Sequence, residues 1–134
     1  MPRILVIDDS LSALQMFDMI LAEAGHEACT CREGKRALEL LERERFDVII
    51  TDIYMPDVDG LELIRAGRRI RPDTPILAVS GMTGPRDMLK AARFLGARQT
   101  IHKPFSKADL LAAVEAALGR SVAAEPCRKA SILP

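Results

Sequence analysis

Apolar and polar positions follow two different periods along this chain, and the switches between them mark out its elements. Arg3 to Ile7 is a short continuous apolar run, the pattern of a strand covered on both faces. Ser10 then offers an N-cap, and Leu14, Phe17, Leu21 and Ala24 recur at helical spacing until Gly25 stops the helix. Glu27 to Cys31 reads as a weaker strand, and Lys35 to Arg45 as a helix with Ala37, Leu38 and Leu41 inward. Phe46 to Thr51 is a third strand, almost wholly apolar. Gly60 to Ile70 carries Leu61, Leu63, Ile64 and Ile70 before Pro72 forbids more helix. Pro75 to Ser80 is a fourth strand, and Arg86 to Leu95 a helix aligning Leu89, Ala92 and Leu95 and ended by Gly96. Gln99 to His102 makes a short fifth strand. Ser106 caps a last helix whose stripe is Leu110, Val114, Ala117 and Leu118.

Strands and helices in alternation predict an α/β fold, a doubly wound five-stranded parallel sheet flanked by five helices. The length agrees. A chain of 134 residues suits one domain that buries roughly 65 to 70% of its unfolded surface. Pro126 and the lack of aligned apolar positions after Ser121 mark 120–134 as a flexible tail, leaving 1–119 as the domain.

In open sheets of this kind, ligands gather outside the carboxyl ends of the strands. The residues closing each predicted strand therefore carry the chemistry. The first strand ends at Asp8-Asp9, the third at Asp52, the fourth at Ser80 and the fifth at Lys103-Pro104. Taken singly, each has a bland reading: either acid would cap a helix, Ser80-Gly81 would be a turn, and Lys103 a solvated charge. Together they bring three carboxylates, a hydroxyl and an ammonium to one edge from four separated segments. Two carboxylates about 4 Å apart repel by roughly 4 kcal/mol at an effective dielectric near 20, so three need a compensating cation. Hard oxygen ligands with room for water and phosphate describe Mg²⁺ better than a closed Ca²⁺ cage. Lys103 and Ser80 add groups able to meet phosphate oxygens, and the chemistry they point to is phosphoryl transfer onto a carboxylate. Crowding alone further predicts that neutralising Asp8 raises the melting temperature in metal-free buffer.

Composition narrows the classes. Nineteen basic residues offset nineteen acidic ones, so no global field draws the protein to nucleic acid or an anionic membrane, and no apolar run is long enough to span a bilayer. Cys29, Cys31 and Cys127 make an odd count without a disulfide framework, consistent with a reducing cytoplasm. Cys29 and Cys31 share one strand face, but no second Cys or His cluster completes a zinc site, so both read as small core residues. His26 reads as a surface residue, His102 as a strand residue, and Arg65, Arg68, Arg69 and Arg71 as a solvated helix face.

The motifs VIDDS, VIITDIYMPDVDG, ILAVSG and IHKPF, in this order, closely resemble the receiver domain of bacterial two-component response regulators over roughly Pro2 to Gly119. The resemblance implies a flavodoxin-like strand order 2-1-3-4-5. It makes Asp52 the phosphoacceptor, charged by a sensor histidine kinase or a phosphotransfer protein and signalling to a downstream target. It gives Mg²⁺ the ligands Asp9, Asp52 and the Tyr54 carbonyl, with Asp8 acting through water, and assigns Ser80 and Lys103 to the phosphoryl group. It also implies a cis Lys103-Pro104 bond and readout through the fourth helix, fifth strand and fifth helix.

The chain departs from that family at Thr100, where receivers carry a Tyr or Phe whose ring reports phosphorylation; a small β-branched hydroxyl swings no ring. Tyr54 and Met82, two residues beyond Asp52 and Ser80, sit on the approach to the phosphoryl group and are expected to slow attacking water. Three function classes follow. One is a stand-alone receiver, a signalling phosphoacceptor and not an enzyme with its own substrate. Another is a docking protein that keeps the site but lacks the switch. The last is a phosphohydrolase with an Asp nucleophile, which needs an acid two residues on, where this chain has Tyr54.

Overall fold

The computed structural model describes residues 1–55, 59–81 and 86–119, with the backbone alone at 86–89. The expected tail, Cys127, Met82 and the side chain of Leu89 lie outside the described residues. In chain order the elements are β1 (Arg3–Ile7), α1 (Leu11–Glu23), β2 (Glu27–Cys31), α2 (Gly34–Arg43), β3 (Val48–Asp52), α3 (Gly60–Ile70), β4 (Ile76–Ser80), α4 (Arg86–Leu95), β5 (Gln99–His102) and α5 (Lys107–Ala117). The strands form one parallel sheet in the order β2-β1-β3-β4-β5. The flavodoxin-like arrangement expected from the sequence is the one found.

Successive side chains alternate between two apolar layers, as the two-residue period of a strand demands. Leu5, Ile7, Ile49 and Ile76 face Leu41 of α2 and Leu63 and Ile64 of α3. Ile4, Val6, Ile50 and Val79 face Leu14, Phe17 and Leu21 of α1 and Leu110 and Val114 of α5. The sheet order reverses between β1 and β3, so their connections run off in opposite directions and leave a crevice at their carboxyl ends. Register settles what lines it. Ile7 pairs with Thr51, Asp52 with Val79 and Ser80 with His102, so the next residues along, Asp8 and Lys103, emerge at the same edge.

Several element ends differ from the sequence reading. The third strand begins at Val48, not Phe46, and runs on to include Asp52. Phe46 is buried beneath the Arg3 guanidinium, 4.8 Å from its ring centroid, and the Asp47 carboxylate takes the Arg3 N–H at 2.8 Å in place of a ladder bond. α2 stops at Arg43 because Glu44 turns extended and Arg71 Nε donates to the Leu41 carbonyl at 2.8 Å. That contact also revises the arginine run. Arg71 closes α2, Arg68 Nη1 donates to the Pro72 carbonyl at 2.7 Å, and only Arg65 and Arg69 are exposed as a solvated face would be.

His26 overturns its expectation outright. It is buried, 3% exposed, with Nε2 bonded to Glu115 Oε2 of α5 at 2.9 Å. The period of a five-residue strand carries no sign of a partner 89 positions away.

Caps match the sequence more closely. Ser10 Oγ accepts the Ala13 N–H, and Ser106 with Asp109 forms a capping box on α5. Asp59 caps α3 by accepting the Glu62 N–H at 2.9 Å. The next residue, Gly60, donates its N–H to the Ile53 carbonyl at 2.7 Å, and a Cβ there would lie 2.3 Å from the Asp52 carbonyl oxygen and 2.4 Å from the Ile53 Cα. Only hydrogen fits. Gly60→Ala is therefore expected to cost about 1 to 3 kcal/mol in urea unfolding by pushing α3 away from the end of β3; a loss below about 0.5 kcal/mol would contradict the close approach.

Candidate functional site

Two neighbouring strand ends and a lysine build the site. Asp8 follows β1 and is 1% exposed, while Asp52 closes β3 and is 8% exposed. Burial of two carboxylates side by side is costly unless each is bonded. Lys103 supplies the bonds: its Nζ donates to Asp8 Oδ2 at 2.8 Å and lies 3.5 Å from Asp52 Oδ2. The lysine is positioned by the sheet, since its backbone N–H donates to the Ser80 carbonyl at 2.7 Å, and the Lys103-Pro104 bond is cis, as the resemblance implied.

The second oxygens are also placed. Asp8 Oδ1 accepts the Ser10 N–H at 2.9 Å, and Asp52 Oδ1 accepts the Tyr54 N–H at 3.2 Å. Thr51, fully buried, donates its hydroxyl to the Asp52 carbonyl at 3.0 Å. Asp9 differs from both, being exposed and making no such bond among the described residues. One carboxylate oxygen from each of Asp8, Asp9 and Asp52 falls within 4.8 Å of the others, a spacing that fits a small hard cation. Ser80 is 2% exposed, with Oγ donating to the Gly81 carbonyl at 3.3 Å, one position past the residue paired with Asp52.

Electrostatics bear on Asp52 in particular. Burial, and after it the Asp8 charge, push the Asp52 carboxyl above the ordinary carboxylate range; Lys103 and the Tyr54 N–H pull the other way without cancelling. Burial likewise opposes the Lys103 charge, but the Asp8 hydrogen bond and the Asp52 charge outweigh it and raise the ammonium pKa. Lys103 thus stays a cation among acids. Away from the site, burial raises both the Cys29 and Cys31 thiols, which keeps them protonated and supports their reading as core residues.

A family model described as the response regulator receiver domain matches residues 4–115. The chain belongs to that family. The cell cycle response regulator CtrA of Brucella ovis is 33% identical over 119 residues, a match that covers 89% of this chain and 51% of the relative. The chain thus spans about half the length of the curated relatives it matches. Among solved structures, a CheY-like receiver from Methanospirillum hungatei superposes with a TM-score of 0.84 at 28% identity, covering 89% of this chain and 94% of its own. The chemotaxis protein CheY4 of Vibrio cholerae gives 0.81 at 34% identity, covering 88% and 99%. Membership in the receiver family supports a phosphoacceptor role in two-component signalling, and the acid cluster fits Mg²⁺. Among the described residues no helix is long and apolar enough to cross a membrane.

Of the residues singled out from the sequence, this receiver brings Asp8, Asp9, Asp52 and Lys103 into one cluster, with Ser80 and the Tyr54 backbone at its edge. Gly60 escaped notice because its role is the close approach of two backbone segments, although the Asp-Gly pair opening a helix is a local signal for it. The pairing of Lys103 with Asp8 also reverses the expectation that neutralising Asp8 relieves repulsion. Asp8→Asn would lose a charge-assisted bond worth about 1.5 to 3 kcal/mol, whereas Asp52, whose charged form the fold disfavours, is the acid whose neutralisation brings relief. In metal-free buffer at neutral pH, Asp52→Asn is expected to raise the melting temperature and Asp8→Asn to lower it. Thermal unfolding with a chelator checks both signs, and the opposite order would contradict the pairing.

Proposed function

We propose that this receiver takes a phosphoryl group on Asp52 from a phosphohistidine on a sensor kinase or phosphotransfer protein, in a Mg²⁺-dependent reaction, and signals through altered docking. The observation that carries this reading is the Lys103 ammonium lodged between Asp8 and Asp52 at a strand-end crevice, with the exposed Asp9 beside them. Mg²⁺, held by Asp9, Asp52 and the Tyr54 carbonyl, with Asp8 through water, would neutralise charge on the transferring group. Asp8 suits an indirect role, since Lys103 and the Ser10 N–H already occupy its two oxygens. Asp52 would act as nucleophile, its Oδ1 oriented by the Tyr54 N–H. Lys103 and the Ser80 hydroxyl would hold the phosphoryl oxygens. An apolar cleft of about 420 Å³ formed by Met16, Pro104 and Phe105 beside Lys103 offers a donor protein a resting surface. Residues 1–119 would form the working domain.

Incubation with acetyl phosphate and Mg²⁺, followed by intact-mass measurement, tests the acceptor directly. One phosphoryl adduct is expected on the native chain and none on Asp52→Asn; sustained release of phosphate with no adduct would instead favour a hydrolase. Tyr54 is exposed beside the acceptor, and Tyr54→Ala is expected to speed loss of the phosphoryl group several-fold. An unchanged dephosphorylation rate would remove Tyr54 from that role.

The docking reading, independent of phosphate, draws on Thr100, which lines a groove of about 460 Å³ along β5 and α5 without any ring to swing. Amide NMR spectra with Mg²⁺ and beryllofluoride, a phosphoryl mimic, separate the two. Shifts that spread from the acid cluster into β5 and α5 accompany a working switch; shifts confined to the cluster accompany constitutive docking.

A further inference from the structure

Beside the acid cluster lies a cleft of about 590 Å³ that the proposed reaction leaves unused, lined by Asp9, Thr30, Cys31, Arg32, Glu33 and Arg36. Backbone bonding fixes its position. The Asp8 N–H donates to the Cys31 carbonyl at 3.1 Å, and Ile7 pairs with Cys31, so Arg32 leaves β2 level with the Asp8-Asp9 turn. The Cys31 thiol anchors the loop from inside, donating to the Glu33 carbonyl at 3.2 Å, and Arg36 follows in the first turns of α2. Asp9 belongs to both places, since its carboxylate also lies within 4.8 Å of those of Asp8 and Asp52. A group held in the cleft would therefore neighbour a phosphoryl group arriving at Asp52.

The charges in the cleft are unevenly engaged. Arg32 is exposed and has no hydrogen-bond or ion-pair partner among the described residues. Arg36 reaches Glu39 only at 3.6 Å, with both side chains 58% exposed, a pairing worth little. The acids of the lining are Glu33 and Asp9, and a cation in the cluster would claim Asp9. Two guanidiniums then face one carboxylate. A guanidinium presents a planar fork of donors that matches phosphate or carboxylate two bonds at a time.

We propose that Arg32 and Arg36 form an anion subsite next to the phosphoacceptor, which selects phosphodonors bearing a second negative group beside the phosphoryl being transferred. The inference rests on Asp52 being that acceptor. With an acyl phosphate donor, an Asp52 carboxylate oxygen bonds to phosphorus while the bond from phosphorus to the acyl oxygen breaks, and the leaving carboxylate keeps the electron pair; no proton moves. The second anion remains in the cleft throughout. Its contribution therefore falls on donor binding and not on the bond-making step.

Two small donors separate the effect on the full chain with Mg²⁺: acetyl phosphate, whose one anionic group is the phosphoryl, and 3-phosphoglyceroyl phosphate, which carries a second phosphate. Phosphorylation of Asp52 is followed by phosphate-affinity electrophoresis. The Arg32→Ala, Arg36→Ala double variant is expected to lose about tenfold or more in the second-order rate of phosphorylation by the second donor, through weaker donor binding, while its rate with acetyl phosphate stays within about twofold. Arg32→Lys with Arg36→Lys should recover part of the loss. Equal losses with both donors, or no loss with either, would overturn the subsite and leave the acceptor standing. Failure of both donors to modify Asp52 in the native chain would overturn the acceptor itself, and the subsite with it.

Discussion

The contact on which this structure turns is a single ammonium shared by two buried carboxylates. Asp8 and Asp52 sit at 1% and 8% exposure, and a pair of acids so placed would repel strongly without a cation between them. Lys103 meets them from the last strand, at 2.8 and 3.5 Å. The consequence is an asymmetric pair. Asp8 is bonded through both oxygens, while burial disfavours the charged form of Asp52. A charge held at a disadvantage is one that gains from an added cation.

Such a contact requires the sheet to be built as it is. The strand order brings β1 and β3 side by side at the point where the chain reverses its direction of winding, which opens a crevice above their ends. Parallel register then does the alignment, because Ile7 opposite Thr51 puts Asp8 beside Asp52, and Ser80 opposite His102 brings Lys103 to the same level. Gly60 lets α3 start against the Asp52 backbone, where no side chain fits. These constraints are steric and topological, and they leave the chemistry to a few polar residues at the strand ends.

Much of this was legible in the sequence, for identifiable reasons. Apolar runs that end on Asp8, Asp52 and Ser80 carry both the strand and its functional terminus, so most of the sheet and of the candidate cluster emerge from one pattern. What local pattern does not hold is the choice of polar partner across the fold. Lys103 is 95 positions from Asp8 and His26 is 89 from Glu115, and neither pairing leaves a trace in periodicity. Sequence reasoning therefore saw the crowding at Asp8 without the lysine bonded to it, and a surface histidine where the structure has a buried one. The early end of α2 has the same origin, in the reach of Arg71 from another helix. Thr100 was visible as a departure, and the structure places it in the lining of an open groove along β5.

The chemistry of this acid cluster depends first on its ability to bind a divalent cation. A Mg²⁺ titration followed by amide NMR should give saturable shifts at Asp8 to Ser10 and at Asp52 to Tyr54, weakened strongly by Asp9→Asn, with the opposite edge of the sheet undisturbed. Shifts that never saturate, or that persist unchanged when Asp9 is neutralised, would contradict it.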